Sequence, residues 1–379
     1  MAKLRVIHFG SGGGKGVTRV LTDLAQGHAA RGAYEPLIVY RRKRGKPLGE
    51  AFRRDLAASG VAFREVSPRP QVRTIAELRA IIREFRPDVF VAHGYSEHLT
   101  GRVAAIAEGV PVVVQGEHNI EHYKWLHLRK ARQLAAHTDA IVGVSRGVVA
   151  RLAELGLPRE KLHVIYNGVR LERFSGGTRV PWADREPAVI MASRFGRQKD
   201  QSTLLRAAAL LRARGCPVRV RLAGGGKKWN ALLARCLARW LGVSDLVEFL
   251  GPRNDLPALF QCHRVAVLST HSEGFGLVVI EGMASGCASV GSRVVGVEEL
   301  IEPGRTGWLV EPHDPEALAD AIVEALGPQG EARAAAARDY ACAGFGVERM
   351  VAEYEQLFDG LLAAKRGERV CRVAGRAGD

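Results

Sequence analysis

Short apolar runs alternate with longer amphipathic stretches along most of the chain, and this alternation predicts an α/β fold. Leu4–Phe9 reads as a strand and Val17–Arg31 as a helix, with Val17, Val20, Leu21 and Leu24 on one stripe. Leu37–Tyr40, Val61–Phe63, Val89–Ala92, Val112–Val114 and Ala140–Val144 read as further strands. The helical stretches Ile75–Phe85, Glu97–Ala107 and Glu121–Ala136 separate them. After an irregular joint at 169–187 the pattern restarts with strand Ala188–Ala192 and helix Gln201–Arg214. Strands Val218–Leu222, Val247–Leu250 and Val265–Leu268, a helix from about Gly276 and the run Ala288–Val290 follow. Two domains with parallel sheets covered by helices are expected, at 1–172 and 187–345. Residues 346–363 read as a separate amphipathic helix, and 364–379 as a loose basic tail.

Composition changes this picture mainly through charge. The net charge is +15. Residues 1–175 carry 29 Lys and Arg against 16 Asp and Glu, so nearly all the excess lies in the first half. Such a field attracts an anionic partner: a phosphate, a nucleic acid or an anionic lipid surface. No apolar run approaches the roughly 18 residues of a membrane span. The start, MAKLRVIHFG, lacks the regions of a secretory signal, and a cytoplasmic location is expected. The six cysteines form no CxxC pair and read as buried free thiols.

Four stretches carry candidate chemistry. In His271-Ser-Glu-Gly-Phe-Gly-Leu-Val-Val-Ile-Glu281, a glycine loop leaves a strand's carboxyl end and opens a helix, where open α/β sheets bind ligands. Gly274 and Gly276 admit a bulky anion, and the helix start offers free N–H groups to a diphosphate. Glu273 suits sugar hydroxyls and Glu281 a ribose diol. In Ser193–Asp200, Arg194 and Lys199 would neutralise charge on a departing phosphate, the work a metal does elsewhere. The chain has no Asp-x-Asp, and no metal is expected. Gly12–Thr18 fits neither the P-loop nor the dinucleotide fingerprint and reads as a positively charged lip. His118, after Val112–Gly116, suits positioning of a hydroxyl; His93 is a weaker candidate.

Together these residues resemble glycosyltransferase family four, with the GT-B fold. The Glu-x7-Glu signature stands as Glu273 and Glu281, with Gly274, Phe275, Gly276 and Leu277 between them. The family's Arg and Lys stand as Arg194 and Lys199, and its Gly-x-Gly loop as Gly224 and Gly226. Gly296, Glu299, Thr306 and Gly307 match later positions, Gly16 the first-domain glycine loop, and His118 the strand-end histidine. Lys15 departs from the usual glycine pair, Gly282 stands where Ala is common, and Ala288 replaces a common Pro. The resemblance implies two Rossmann-like domains facing across a cleft, with a C-terminal helix crossing back to the first. It also implies retention of configuration, no metal or other cofactor, and a nucleotide-diphosphate sugar as donor, UDP-sugar by default.

The basic first domain is expected to hold the acceptor, a glycan or lipid-linked and possibly phosphorylated molecule. Arg41–Lys46 and the aromatic and basic segment Glu121–Arg132 suit an anionic membrane surface, so a peripheral enzyme on the inner face is expected. Lipopolysaccharide or polysaccharide assembly fits this reading. The competing readings are a sugar-nucleotide epimerase of the same fold and a non-enzymatic binder of an anionic ligand or nucleic acid. No nucleic-acid reading motif is present, and no nucleic-acid partner is expected.

Overall fold

The computed structural model describes residues 3–12, 16–42, 50–176 and 180–374. The chain divides into two compact units: Met1–Gly168 with Val347–Asp379, and Val169–Gly346.

The first unit runs β1 (Leu4–Ser11), α1 (Gly16–Arg31), β2 (Tyr34–Arg41), α2 (Glu50–Ala58), β3 (Ala62–Val66), α3 (Gln71–Phe85), β4 (Val89–His93) and α4 (Tyr95–Ala107). It continues through β5 (Val112–Glu117), α5 (Trp125–Ala135), β6 (Ala140–Gly143), α6 (Arg146–Glu154) and β7 (Leu162–Val164). Its seven strands lie in the order β3-β2-β1-β4-β5-β6-β7, and all pairs are parallel. Every residue of β4 and β5 is buried, as expected of strands covered on both faces.

The second unit runs α7 (Glu172–Ser175), β8 (Glu186–Ala192), α8 (Gln201–Ala213), β9 (Val220–Ala223), α9 (Lys228–Trp240), β10 (Val247–Gly251), α10 (Leu256–Cys262) and β11 (His263–Leu268). It ends with α11 (Leu277–Ala284), β12 (Ala288–Ser292), β13 (Gly307–Val310), α12 (Pro315–Leu326) and α13 (Pro328–Gly344). The parallel sheet order is β10-β9-β8-β11-β12-β13. Asp200 caps α8 by accepting from the Thr203 backbone N–H at 3.1 Å, and Asp314 caps α12 through Ala317 at 2.9 Å.

The last helix, α14 (Val347–Ala374), belongs to the first unit and packs on α1. Gly27 permits the approach, since a Cβ there would lie 2.3 Å from Val351 Cγ2. Glu355 accepts from His28 at 3.0 Å and from Arg31 at 2.7 Å, and Tyr34 donates to Asp359 at 2.5 Å.

Several expectations need correction. The 364–379 tail is helical through Ala374, and Lys365 reaches back to Asp139 at 2.8 Å. Helix α5 begins at Trp125 rather than Glu121, because Tyr123 is held in the preceding loop. Of the five described cysteines only Cys287 is buried; Cys216, Cys236, Cys262 and Cys342 are free but exposed. The alanine-rich α13, with a weak apolar stripe, and the four-residue β13 are additional elements. Among the described residues no helix is long and apolar enough to cross a membrane.

Candidate active site

In the second unit the chain order runs outward from β8 on one side and from β11 on the other, so the sheet's switch point lies between these two strands. Loops leaving their carboxyl ends diverge there and leave a crevice, the place where open parallel sheets bind ligands. The loop after β8 carries Ser193–Asp200 and the loop after β11 carries Ser269–Gly276. An antiparallel bridge pairs Lys199 with Thr270, and the Asp200 N–H donates to the Ser269 carbonyl at 3.0 Å. These bonds bring the Lys199 ammonium onto the Glu273 carboxylate in a short ion pair.

Glycines shape the rest of this edge. Gly276 precedes α11 at φ +98°, a conformation that favours glycine. Gly296, at φ +83°, packs so closely that a Cβ would lie 2.6 Å from the Gly274 carbonyl. Phe275 is buried, with its ring 6.1 Å from that of Phe345. Leu277 opens α11 and Glu281 is buried on it. Gly282 suits its place because a Cβ would meet Ala266 Cβ at 2.9 Å. The β9–α9 loop closes the other side: Phe195 bridges Gly226, and the Phe195 N–H donates to Gly225 at 2.8 Å.

Gly224 is the tightest of these positions. Its φ is +154°, and a Cβ would lie 1.9 Å from the Ser193 carbonyl oxygen. Backbone strain of this kind costs roughly 1–3 kcal/mol before any clash. Gly224→Ala is therefore expected to lower unfolding stability by about 2 kcal/mol or more and to displace the Arg194 loop, measured by urea unfolding.

The structure joins Lys199 to Glu273 directly. Arg194 leaves the same β8–α8 loop with an exposed side chain, and its carbonyl accepts from Gln201 at 3.1 Å. No described contact links Arg194 to the Lys199–Glu273 pair. A group not anticipated from sequence lies beside it. His271 and His313 stack at 4.2 Å and approach the Asp200 carboxylate at 3.6 and 3.8 Å, within reach of one cation. That carboxylate already accepts from Ser202 and Thr203, which hold Asp200 below the usual carboxylate range against the opposing effect of burial.

In the first unit Gly16 starts α1, exposed, with open space where a Cβ would stand. Its neighbours Gly13, Gly14 and Lys15 lie outside the described residues, as do Lys43–Lys46 of the basic segment. Arg41 is engaged with Glu97 at 2.6 Å.

Half-buried His118 ends a row of otherwise buried imidazoles. Its Nε2 lies 3.0 Å from His93 Nδ1, and His93 Nε2 lies 3.0 Å from His8 Nδ1. His28 stacks on His8 at 5.3 Å and bonds Glu355. The row forms because His8, His93 and His118 sit on or just after neighbouring strands β1, β4 and β5. Burial holds His8 and His93 well below the usual histidine value and pushes His118 down to about 4. Neutral rings linked this way share one direction of N–H donation, and the buried Nδ1 of His118 is left without a partner.

A second buried network flanks it. Tyr123 Oη lies 2.8 Å from Glu117 and 2.7 Å from His98 Nε2, while Arg102 reaches His98 Nδ1 at 2.8 Å. Burial pushes the Glu117 carboxyl up to about 8. A cavity of about 500 Å³ opens near the amino ends of β5 and β6, lined by Val110, His137, Asp139 and Lys365 among others; it lies at the edge opposite His118.

With this geometry in place, comparison with known proteins settles the family. Residues 14–173 match the family described as Glycosyltransferase Family 4, and residues 186–327 match Glycosyl transferases group 1. The D-inositol 3-phosphate glycosyltransferase of Nocardiopsis dassonvillei is 31% identical over 296 residues, 70% of this chain and 68% of that protein. The chain belongs to glycosyltransferase family 4. The putative colanic acid biosynthesis glycosyltransferase WcaL of Escherichia coli is 29% identical over 63% of this family 4 chain and 61% of its own length. Matches to several curated relatives span only 50–61% of their length. Anabaena Alr3699/HepE, solved in complex with UDP and glucose, shares the fold with a TM-score of 0.81 and 21% identity. That match covers 94% of this chain and all of the other. Two parallel-sheet Rossmann-like units of the GT-B class are thus common to the family 4 chain and that protein.

Proposed function

We propose that this chain transfers a sugar from a nucleoside-diphosphate sugar, UDP-sugar first among them, to a glycan or lipid-linked acceptor with retention of configuration. The observation that carries the reading is the Lys199–Glu273 pair at the switch point of the second sheet, beside the glycine-lined start of α11. A diphosphate placed there meets the α11 N–H groups and competes with Glu273 for the Lys199 ammonium. Freed by that exchange, Glu273 accepts from sugar hydroxyls, and Lys199 with Arg194 stabilises the charge that grows on the leaving phosphate. This assigns no step to a metal or other cofactor. Glu281 is assigned to the ribose, with Gly224, Gly226, Gly274, Phe275, Gly276 and Leu277 shaping the donor seat. In the first unit, Gly16 is assigned to a substrate-binding loop and the unpartnered His118 Nδ1 to a ligand hydroxyl.

The similarity to WcaL favours cell-surface polysaccharide or lipopolysaccharide assembly on the cytoplasmic face of a membrane. Exposed Trp125 and Leu126 with Arg129 on α5 supply a surface for it, although Tyr123 is withdrawn into the Glu117 network.

A panel of nucleotide sugars in a thermal-shift measurement tests the donor reading. One UDP-sugar is expected to raise the unfolding midpoint, and Glu281→Ala to remove at least ten-fold of that affinity; equal stabilisation of the variant would reject the ribose role. Incubation with donor alone separates transfer from epimerisation, since an epimerase converts the donor without acceptor.

A further inference from the structure

Helix α9 of the second unit carries an apolar face that nothing in its own unit covers. Trp229, Leu232, Leu233, Cys236 and Trp240 recur at helical spacing and fall within an arc of about 100°. All five are exposed, Trp229 at 65% and Trp240 at 80%. The face packed into the unit is a different one, built on buried Ala234 and Ala238 with Ala231, Leu237 and Leu241 packed beside them. Isolated exposed apolar residues need no explanation, but a contiguous stripe ending in tryptophans marks an interaction surface.

Charge identifies what the stripe fits. The helix holds no acidic residue. Lys228, Arg235 and Arg239 share the flank beside Leu232, and Lys227 stands at the helix start. Among the described residues none of these four makes an ion pair, whereas Arg212 and Arg214 on the preceding helix segment and turn are both paired to acids. Arg235 lies over the Phe249 ring at 4.3 Å, which leaves its charge at the surface. Thirteen residues extend about 20 Å, short of the roughly 30 Å hydrocarbon core, so such a helix lies in the plane of the interface.

We infer that α9 docks on an anionic lipid bilayer, with Trp229, Leu232, Leu233 and Trp240 entering the headgroup region and the basic flank meeting lipid phosphates. Tryptophan suits that depth, and long basic side chains lay their stems along apolar surface while keeping the charge in water. The inference extends the membrane attachment proposed for α5 to a second, separate surface, and it does not depend on sugar transfer. Docking there would also bear on the donor seat. The α9 start is tied to the β8–α8 loop, because the Lys227 N–H and the Asn230 amide both donate to the Phe195 carbonyl, at 3.3 and 3.2 Å.

The test is co-sedimentation of the full chain with vesicles of phosphatidylglycerol and phosphatidylethanolamine, against vesicles of phosphatidylcholine. The wild type is expected to partition onto the anionic vesicles only. Trp229→Ala with Trp240→Ala should weaken that partition at least ten-fold, with an unchanged melting midpoint because both side chains are exposed. Lys228→Ala with Arg239→Ala should weaken it about 25-fold, roughly five-fold for each cation near an anionic leaflet. Trp125→Ala with Leu126→Ser on α5 tests the other surface. Loss of binding in the α5 variant alone, with both α9 variants sedimenting like wild type, overturns the inference while leaving the α5 reading intact. Failure of the wild type to bind either vesicle overturns both. A wild-type dimer in light scattering that Trp229→Ala with Trp240→Ala converts to a monomer, without vesicle binding, makes the stripe a protein interface and also overturns it.

Discussion

Lys199→Ala is expected to lower kcat/KM for sugar transfer by about 10²–10³-fold, the loss that follows removal of one preorganised group facing developing charge. Two effects act in the same direction. The variant removes the cation nearest the proposed leaving phosphate, and it leaves the partly buried Glu273 carboxylate unpaired beside that anion. Because the second effect is repulsive, donor binding weakens as well as the chemical step, and KM should rise while kcat falls. Lys199→Arg should recover part of the loss, since it keeps the charge but not the point-like ammonium that Glu273 grips. Release of nucleoside diphosphate under initial-rate conditions measures both variants. A Lys199→Ala enzyme within five-fold of wild type would remove Lys199 from the catalytic step.

The second unit is largely legible in its sequence. Its strands are short, mostly apolar runs, and the Glu273–Glu281 string stands beyond the carboxyl end of one of them. What spacing could not supply was the pairing of β8 with β11, which lays the Lys199 loop beside the Glu273 loop across 74 positions. The ion pair is a product of sheet order. Arg194 illustrates the limit from the other side: its place five residues before Lys199 implied a shared target, yet its side chain is exposed and no described contact draws it to the pair.

The imidazole row was harder to see for the same reason. His8 looks like a polar interruption in an apolar strand, and His28 like a polar residue on a helix. His8, His93 and His118 meet because β1, β4 and β5 are neighbours in the first sheet, and His28 joins them from α1, stacked on His8. A signal was present, since His93 and His118 both stand where a strand ends, but strand ends carry polar residues for many reasons. Helix α9 shows a different limit. Periodicity reveals which residues share a face, not whether that face is covered. A stripe of tryptophan and leucine is ordinarily the buried one, whereas here the unit packs on the other face, through Ala234, Leu237, Ala238 and Leu241.

Acid should destabilise the first unit steeply between about pH 6.5 and pH 4. His8, His93, His98 and His118 are all held neutral, chiefly by burial. A histidine with a depressed folded pKa binds fewer protons folded than unfolded below 6.5, so stability falls as pH drops through that window. For His118, moved from 6.5 to about 4, the loss is on the order of 3 kcal/mol, and the other three act in the same direction. Glu355 adds to it. Burial alone would raise its pKa, but His28 and Arg31 hold it low, so its contribution is lost as pH falls through the folded value. Glu117 opposes them. With a folded pKa near 8 its stabilisation is complete below 4.5 and fades as pH rises toward 8. One carboxyl working against four imidazoles leaves acid lability dominant. Urea midpoints followed from pH 7.5 to pH 4.5 should fall continuously below pH 6.5. Replacing His93 with glutamine, a neutral amide of similar reach, should flatten that slope by about one proton even where it lowers the plateau. A flat profile in the wild type would mean that the imidazoles titrate in place and that water reaches the row.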